Sequence, residues 1–361
     1  MGLIMHKTQK DKPFYFLVTA TFFLSLIVVG VGAYTRLTDA GLGCPDWPGC
    51  YGFMSVPQTE SQLQTAQAIY PDSPVEPVKA WNEMVHRYIA GSLGLLVLMI
   101  AVMAWARSGR PKLLSSFLLG IVFFQALLGM WTVTMQLMPI VVMAHLLGGF
   151  TIVSLLWLLR LRIQPKPLFY QDGFKTHLSL SRRYLTVLKS VAIAALIVVI
   201  GQIALGGWTA ANYAAVVCTQ LPICEGDWQG MFDPRAFELI QPQHSSYEYG
   251  VLDYAQRVSI HVTHRIGAII TTVFILVLAG VLWLKPPLRR YSIAMIGVLS
   301  VQIILGITNV LASLPLLIAV AHNVVGLILL LIVVTTCYRL ICDCRSPLEV
   351  KYFASESATH G

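Results

Sequence analysis

Eight stretches of this chain are long enough and apolar enough to cross a bilayer, and this constrains the fold more than any other feature. Uncharged or nearly uncharged runs occupy 14–33, 88–106, 113–137, 139–159, 190–210, 266–284, 291–312 and 315–338. A hydrocarbon core takes about 20 apolar residues per helix. The second and sixth runs begin earlier, near Trp81 and Tyr254, where polar residues fall at helical spacing. With 56% hydrophobic and only 12% charged residues, the chain falls outside the soluble class. The first run has the basic start of a signal peptide, but it is long for a signal core, and its end recurs later inside a full span.

Lys and Arg orient the spans. Nineteen of the 25 basic residues lie in the N-terminus, the even-numbered links and the tail: Lys7, Lys10 and Lys12; Arg107, Arg110 and Lys112; Arg160, Arg162, Lys166, Lys175, Arg182, Arg183 and Lys189; Lys285, Arg289 and Arg290; Arg339, Arg345 and Lys351. The other side holds two long loops, 34–80 and 211–253, and most of the acids. Both termini are therefore expected in the cytoplasm, in a multi-pass protein of the plasma (inner) membrane surrounded by lipid. The net charge of +8 follows from this topology and forms no nucleic-acid patch.

On the outer side, paired thiols oxidise. Cys44 and Cys50 stand six positions apart in the first long loop, and Cys218 and Cys224 repeat that spacing in the second. Each pair is expected to close a small disulfide loop. Cys337, Cys342 and Cys344 fall at the cytoplasmic end of the last span and are expected to stay reduced; a metal site built from these three is the alternative.

The cysteine spacing is one sign of an internal repeat. "MVHR" at 84–87 returns as "VTHR" at 262–265, "QALLG" at 125–129 as "QIILG" at 302–306, and "VMAHLLGG" at 142–149 as "AVAHNVVG" at 319–326. The offsets all lie between 174 and 178. A repeat of four spans keeps its orientation, so the halves are related by an axis along the membrane normal. The expected fold class is an all-α polytopic membrane protein whose eight transmembrane helices form two pseudo-symmetric four-helix bundles. The expected bundles span 14–160 and 190–341, joined by a cytoplasmic linker at 161–189.

Each half carries one His near the start of its second span and one near the start of its fourth: His86 and His145, then His264 and His322. At 1.5 Å per residue all four lie ~8–15 Å below the outer end. A single buried His often makes only an interhelical hydrogen bond, but two matched pairs at one depth point to function. Two imidazoles on neighbouring helices can hold a haem iron axially. Zinc would want further ligands, and none repeats with the His pairs. Gly91, Gly94, Gly148, Gly149, Gly267 and Gly326 would leave room for a flat macrocycle or simply permit close helix packing. Arg36, Arg87 and Arg265 are candidates to pair with haem propionates; snorkelling to the interface is the alternative.

The halves differ at one ionisable position. Glu83 precedes His86 by three residues and shares its helix face; the matching residue of the second half is His261. A carboxylate at the edge of a haem pocket is a catalytic candidate.

"GAYTRLTDAGLGCPDWPGC", "EMVHR", "MAHLLGG", "VTHR" and "AHNVVG", in this order across eight spans, resemble the heme A synthase family. The resemblance covers about Val29 to Leu340. It implies an oxidoreductase that converts the C8 methyl of heme O to a formyl group by successive hydroxylations, yielding heme A for cytochrome c oxidase. It implies haem b as cofactor in one half and the substrate haem in the other. His264 and His322 are expected to hold haem b, and His86 and His145 the substrate, with Glu83 beside it. Cys44 and Cys50 are either structural or an electron relay. The pathway suggests contacts with the farnesyltransferase that makes heme O and with cytochrome c oxidase assembly factors; a homo-oligomer is left open. The competing reading is a di-haem b-type membrane cytochrome acting only in electron transfer, although four His at one depth disfavour transfer across the bilayer. A transporter would need charged or broken midplane segments.

Overall fold

Long apolar runs without internal proline satisfy their own backbone only as helices, and the computed structural model builds them so. It describes residues 11–164 and 182–342. The spanning helices are α1 (Lys12–Leu37), α3 (Pro77–Trp105), α4 (Lys112–Thr134), α5 (Pro139–Ile163), α6 (Arg182–Ala211), α7 (Tyr254–Trp283), α8 (Arg289–Leu311) and α9 (Leu316–Cys342). A short helix, α2 (Glu60–Ile69), lies in the first long loop. Among the described residues there is no named strand. Pro13, Pro77 and Pro139 sit in the first turn of α1, α3 and α5, where a missing N–H costs little. Capping boxes start α2 (Thr59 with Gln62) and α7 (Asp253 with Gln256).

The helices outgrow the apolar runs. Alpha3 and α7 do begin near Trp81 and Tyr254, as their polar spacing predicts. The bundles extend to Lys12–Ile163 and Arg182–Cys342, so the expected linker shrinks and Arg160, Arg162, Arg183 and Lys189 lie on helices. Basic residues at a helix end interrupt hydropathy without interrupting the helix. Lys7, Lys10, Lys166, Lys175, Cys344, Arg345 and Lys351 lie outside the described residues.

In the first half α1 packs on α3 and α5, and α4 on α3 and α5, closing a ring of four. The second half repeats this with α6, α7, α8 and α9. The rings meet through α5 against α6 and α1 against α9. The largest buried core, including Phe22, Leu156, Ile275 and Leu327, runs through both. A hydrogen bond of 2.7 Å from the Trp157 indole to the Thr335 hydroxyl ties α5 to α9. Apolar side chains such as Phe16 and Leu113 remain exposed, as lipid-facing positions do.

The backbone shows a finer repeat than the expected duplication. Four helices, α1, α4, α6 and α8, end in the same left-handed turn. Asp39, Gln136, Leu137, Tyr213, Ser313 and Leu314 have φ of 50, 51, 62, 52, 54 and 63°. An N–H five residues on bonds back at each: Ala40 to Thr35 (3.0 Å), Leu137 to Thr132 (2.8 Å), Ala214 to Thr209 (2.9 Å) and Leu314 to Asn309 (2.8 Å). Residues with a Cβ adopt this conformation at a cost, so its fourfold recurrence marks a repeated helix hairpin. Each half is two hairpins, and the chain is four.

Candidate functional site

Every hairpin places one His of its second helix against a Gly of its first. A methyl group added at Gly32 would fall 2.9 Å from Cε1 of His86; at Gly129, 3.2 Å from His145; at Gly206, 3.1 Å from His264; at Gly306, 3.2 Å from His322. Only a side chain of a single hydrogen lets each ring lie this close to the neighbouring helix. His86 and His145 are near enough to interact electrostatically, as are His264 and His322. Each half thus brings its two His-bearing helices into one four-helix ring.

Three of the four rings also meet a glutamine four residues before that Gly. The Gln125 amide donates to the His145 carbonyl (2.7 Å) and lies 3.1 Å from its Nδ1. Gln202 does the same to His264, at 3.0 and 3.1 Å. Gln302 lies 3.2 Å from Nε2 of His322. Sequence reading noticed "QALLG" and "QIILG" as repeat markers but gave the glutamines no role, and it overlooked "QIALG" at 202–206. The signal was available as Gln-x-x-x-Gly on the helix preceding a buried His. The expected open space beside Gly148, Gly267 and Gly326 is instead where these glutamines lie. Gly91 does face open space, and Gly94 touches Val122.

The residues fit an iron-bound macrocycle. The Nδ1 atoms of His86 and His322 are buried without a protein partner. The second ring nitrogens of His145 and His264 make no protein hydrogen bond either. In an apolar span such nitrogens call for a ligand.

The arginines are placed differently from the expectation. Both disulfides are formed, Cys44–Cys50 and Cys218–Cys224. Arg87 donates to the carbonyls of Asp46 (2.9 Å), Pro48 (3.3 Å) and Gly49. Arg265 donates to Gln220 (2.6 Å), Cys218 (2.7 Å) and Ile223. Each Arg therefore clasps the disulfide loop of its own half onto the His-bearing helix. Arg36 bridges the halves: it donates to the Ala210 carbonyl (2.6 Å), lies 4.0 Å over the Tyr213 ring and pairs with Asp39 at 3.5 Å.

Glu83 is buried, 5% exposed, under the first loop. Its carboxylate accepts from the Cys44 N–H at 2.8 Å and from Arg87 at 2.5 Å. His261 is the buried counterpart, with an unpartnered Nδ1. In the second loop a carboxylate comes from the loop itself. Hydrogen bonds from the Thr219 N–H and hydroxyl hold the Glu225 carboxyl down at about 2. Cys337 is buried and donates to the Ala192 carbonyl at 3.4 Å.

Residues 15–334 match the COX15-CtaA family, described as cytochrome oxidase assembly protein. The chain belongs to this family. A relative called heme A synthase in Shewanella oneidensis is 51% identical over 90% of this chain and 96% of its own length. Proteins of the same name in Neorickettsia sennetsu and Wolbachia pipientis are 24% and 27% identical, over 85% of this chain in both cases and 93% and 92% of their own lengths. The match runs through both halves.

Proposed function

We propose that this integral membrane protein converts heme O to heme A. The observation that carries the reading is a pair of two-histidine sites, one per half, in a chain that matches proteins named heme A synthase over nine-tenths of its length. His264 and His322 hold haem b. His86 and His145 hold heme O, because Glu83 belongs to that half alone. Haem b, when bound, supplies an acceptor for electrons leaving the substrate.

The protein's own residues do the rest. His86 and His145 would hold the substrate haem between their imidazoles and so orient it. Written with water as the oxygen, turning a methyl into a formyl group releases protons as well as electrons. Glu83 takes a proton from the methyl carbon on C8 or steadies positive charge developing there. The Cys44 N–H and Arg87 hold its carboxylate in place. The first disulfide loop, pinned by Arg87, closes over this edge.

An apolar groove of about 310 Å³ along α4 and α5, lined by Leu128, Trp131, Met138 and Ala144 among others, lies next to His145 and suits an isoprenoid tail. The corresponding positions of the second half put Thr308 for Trp131 and Ala312 for Met135. Both termini lie in the cytoplasm, and the disulfide loops face outward.

Extraction of the pigments and identification by mass tests the reading. Protohaem together with heme O or heme A is expected. Protohaem alone would favour the electron-carrying cytochrome.

A further inference from the structure

The glutamine pattern has one exception, and it falls on the substrate side. The residue of α1 that corresponds to Gln125, Gln202 and Gln302 is Val28, four before Gly32. His86 consequently has no amide beside it, and its Nδ1 is buried without a partner. The seat that two of these glutamines use is missing as well. A methyl group at Gly148 would fall 2.1 Å from Oε1 of Gln125, and one at Gly267 2.2 Å from Oε1 of Gln202, so those glutamines need a glycine three residues after the His. Three residues after His86 stands Ile89. Amide and glycine are both absent here; Val325 stands three residues after His322, where Gln302 still meets the ring, so it is the missing amide that leaves the fourth hairpin without a clamp.

Resting on the haem assignment proposed above, we infer that Gln125, Gln202 and Gln302 are positioning residues that lock three ligand imidazoles, and that His86 is the ligand that releases. A ring held at one nitrogen, and for His145 and His264 also at the backbone carbonyl, keeps its orientation when the metal leaves, which favours rebinding; outer partners of metal-ligating His are worth ~10–100-fold in affinity. His86 packs on Gly32 and has no amide to hold its ring nitrogen. A site that must accept heme O and give up heme A needs one such ligand. A site that keeps its haem b needs none, and the second half has glutamines on both rings.

The test follows haem transfer from the purified holoprotein to excess apomyoglobin, with each pigment identified by mass and each low-spin iron by its electron paramagnetic resonance signal. Heme O or A is expected to leave faster than haem b. V28Q/I89G, which installs both missing parts, should slow that loss about ten-fold and shift the g values of the substrate-site iron. Q202V should speed haem b loss by a similar factor and shift the g values of that iron. Unchanged loss rates and g values in V28Q/I89G overturn the inference. If that variant does not fold, an unchanged haem b loss rate in Q202V overturns it instead. Absence of any bis-histidine low-spin signal in the wild-type protein is a different failure, that of the haem assignment itself.

Discussion

The carboxylate of Glu83 accepts a hydrogen bond from the backbone N–H of Cys44 at 2.8 Å, so the one acidic residue of the His-bearing helices is fastened directly to a disulfide cysteine. Chemistry at Glu83 and order in the first loop are therefore coupled. Glu83→Gln keeps an oxygen for the Cys44 N–H but cannot take the proton. It should retain both haems and the folded loop while heme O, or a hydroxylated intermediate, accumulates. The turnover loss should be ~10²–10⁴-fold, the usual contribution of a positioned acid or base. Glu83→Ala should add loop disorder, read as faster proteolysis between residues 44 and 50. Normal heme A output from either variant would remove Glu83 from the mechanism.

The two halves should respond differently to loss of a ligand. His264→Ala or His322→Ala should abolish the haem b absorbance. His86→Ala should leave it intact and remove bound heme O. Loss of haem b on changing His86 would reverse the assignment of the halves.

Arg265 serves the second loop through three carbonyls and has no carboxylate on its own helix, where His261 stands in place of Glu83. Arg265→Ala should weaken that loop by about 1.5–3 kcal/mol, the range for a hydrogen bond to a charged group. Thermal denaturation and amide exchange over 218–224 measure this. An unchanged exchange pattern would mean that the disulfide alone orders the loop.

The Glu225 carboxyl, held at about 2 by bonds from Thr219 and Gln220, gives this loop a sign-definite pH response. Its native pKa lies below the unfolded value, so the contribution is present above the ordinary carboxylate range and fades as pH falls toward 2. Amide protection at Thr219 should persist at about pH 4 and be lost on further acidification. Glu225→Gln should abolish that dependence.

Reporter fusions at residues 60 and 240 should read extracytoplasmic, and those at 170 and 350 cytoplasmic. A cytoplasmic signal at 240 would place the second disulfide in a reducing compartment and contradict the proposed topology.

Helix number, duplication and the four intramembrane histidines were legible in the sequence, because lipid admits few solutions for a 20-residue apolar run and because a buried imidazole in such a run is costly enough to stand out. The disulfide pairs followed from spacing and compartment. Partners that the fold brings together across sequence distance were not legible. Arg87 and Arg265 looked available for propionates, but only folding shows that each has the carbonyls of a cysteine loop within reach. Gln202 is 62 residues from His264, and no local pattern joins them. Glu83 stands out in the sequence by its position relative to His86, but its bond to Cys44 spans 39 residues of chain. Hydrophobic periodicity reports which face of a helix avoids lipid or water. Which polar group a given side chain meets on that face depends on helix crossing and rotation, and these are set by packing of the whole bundle.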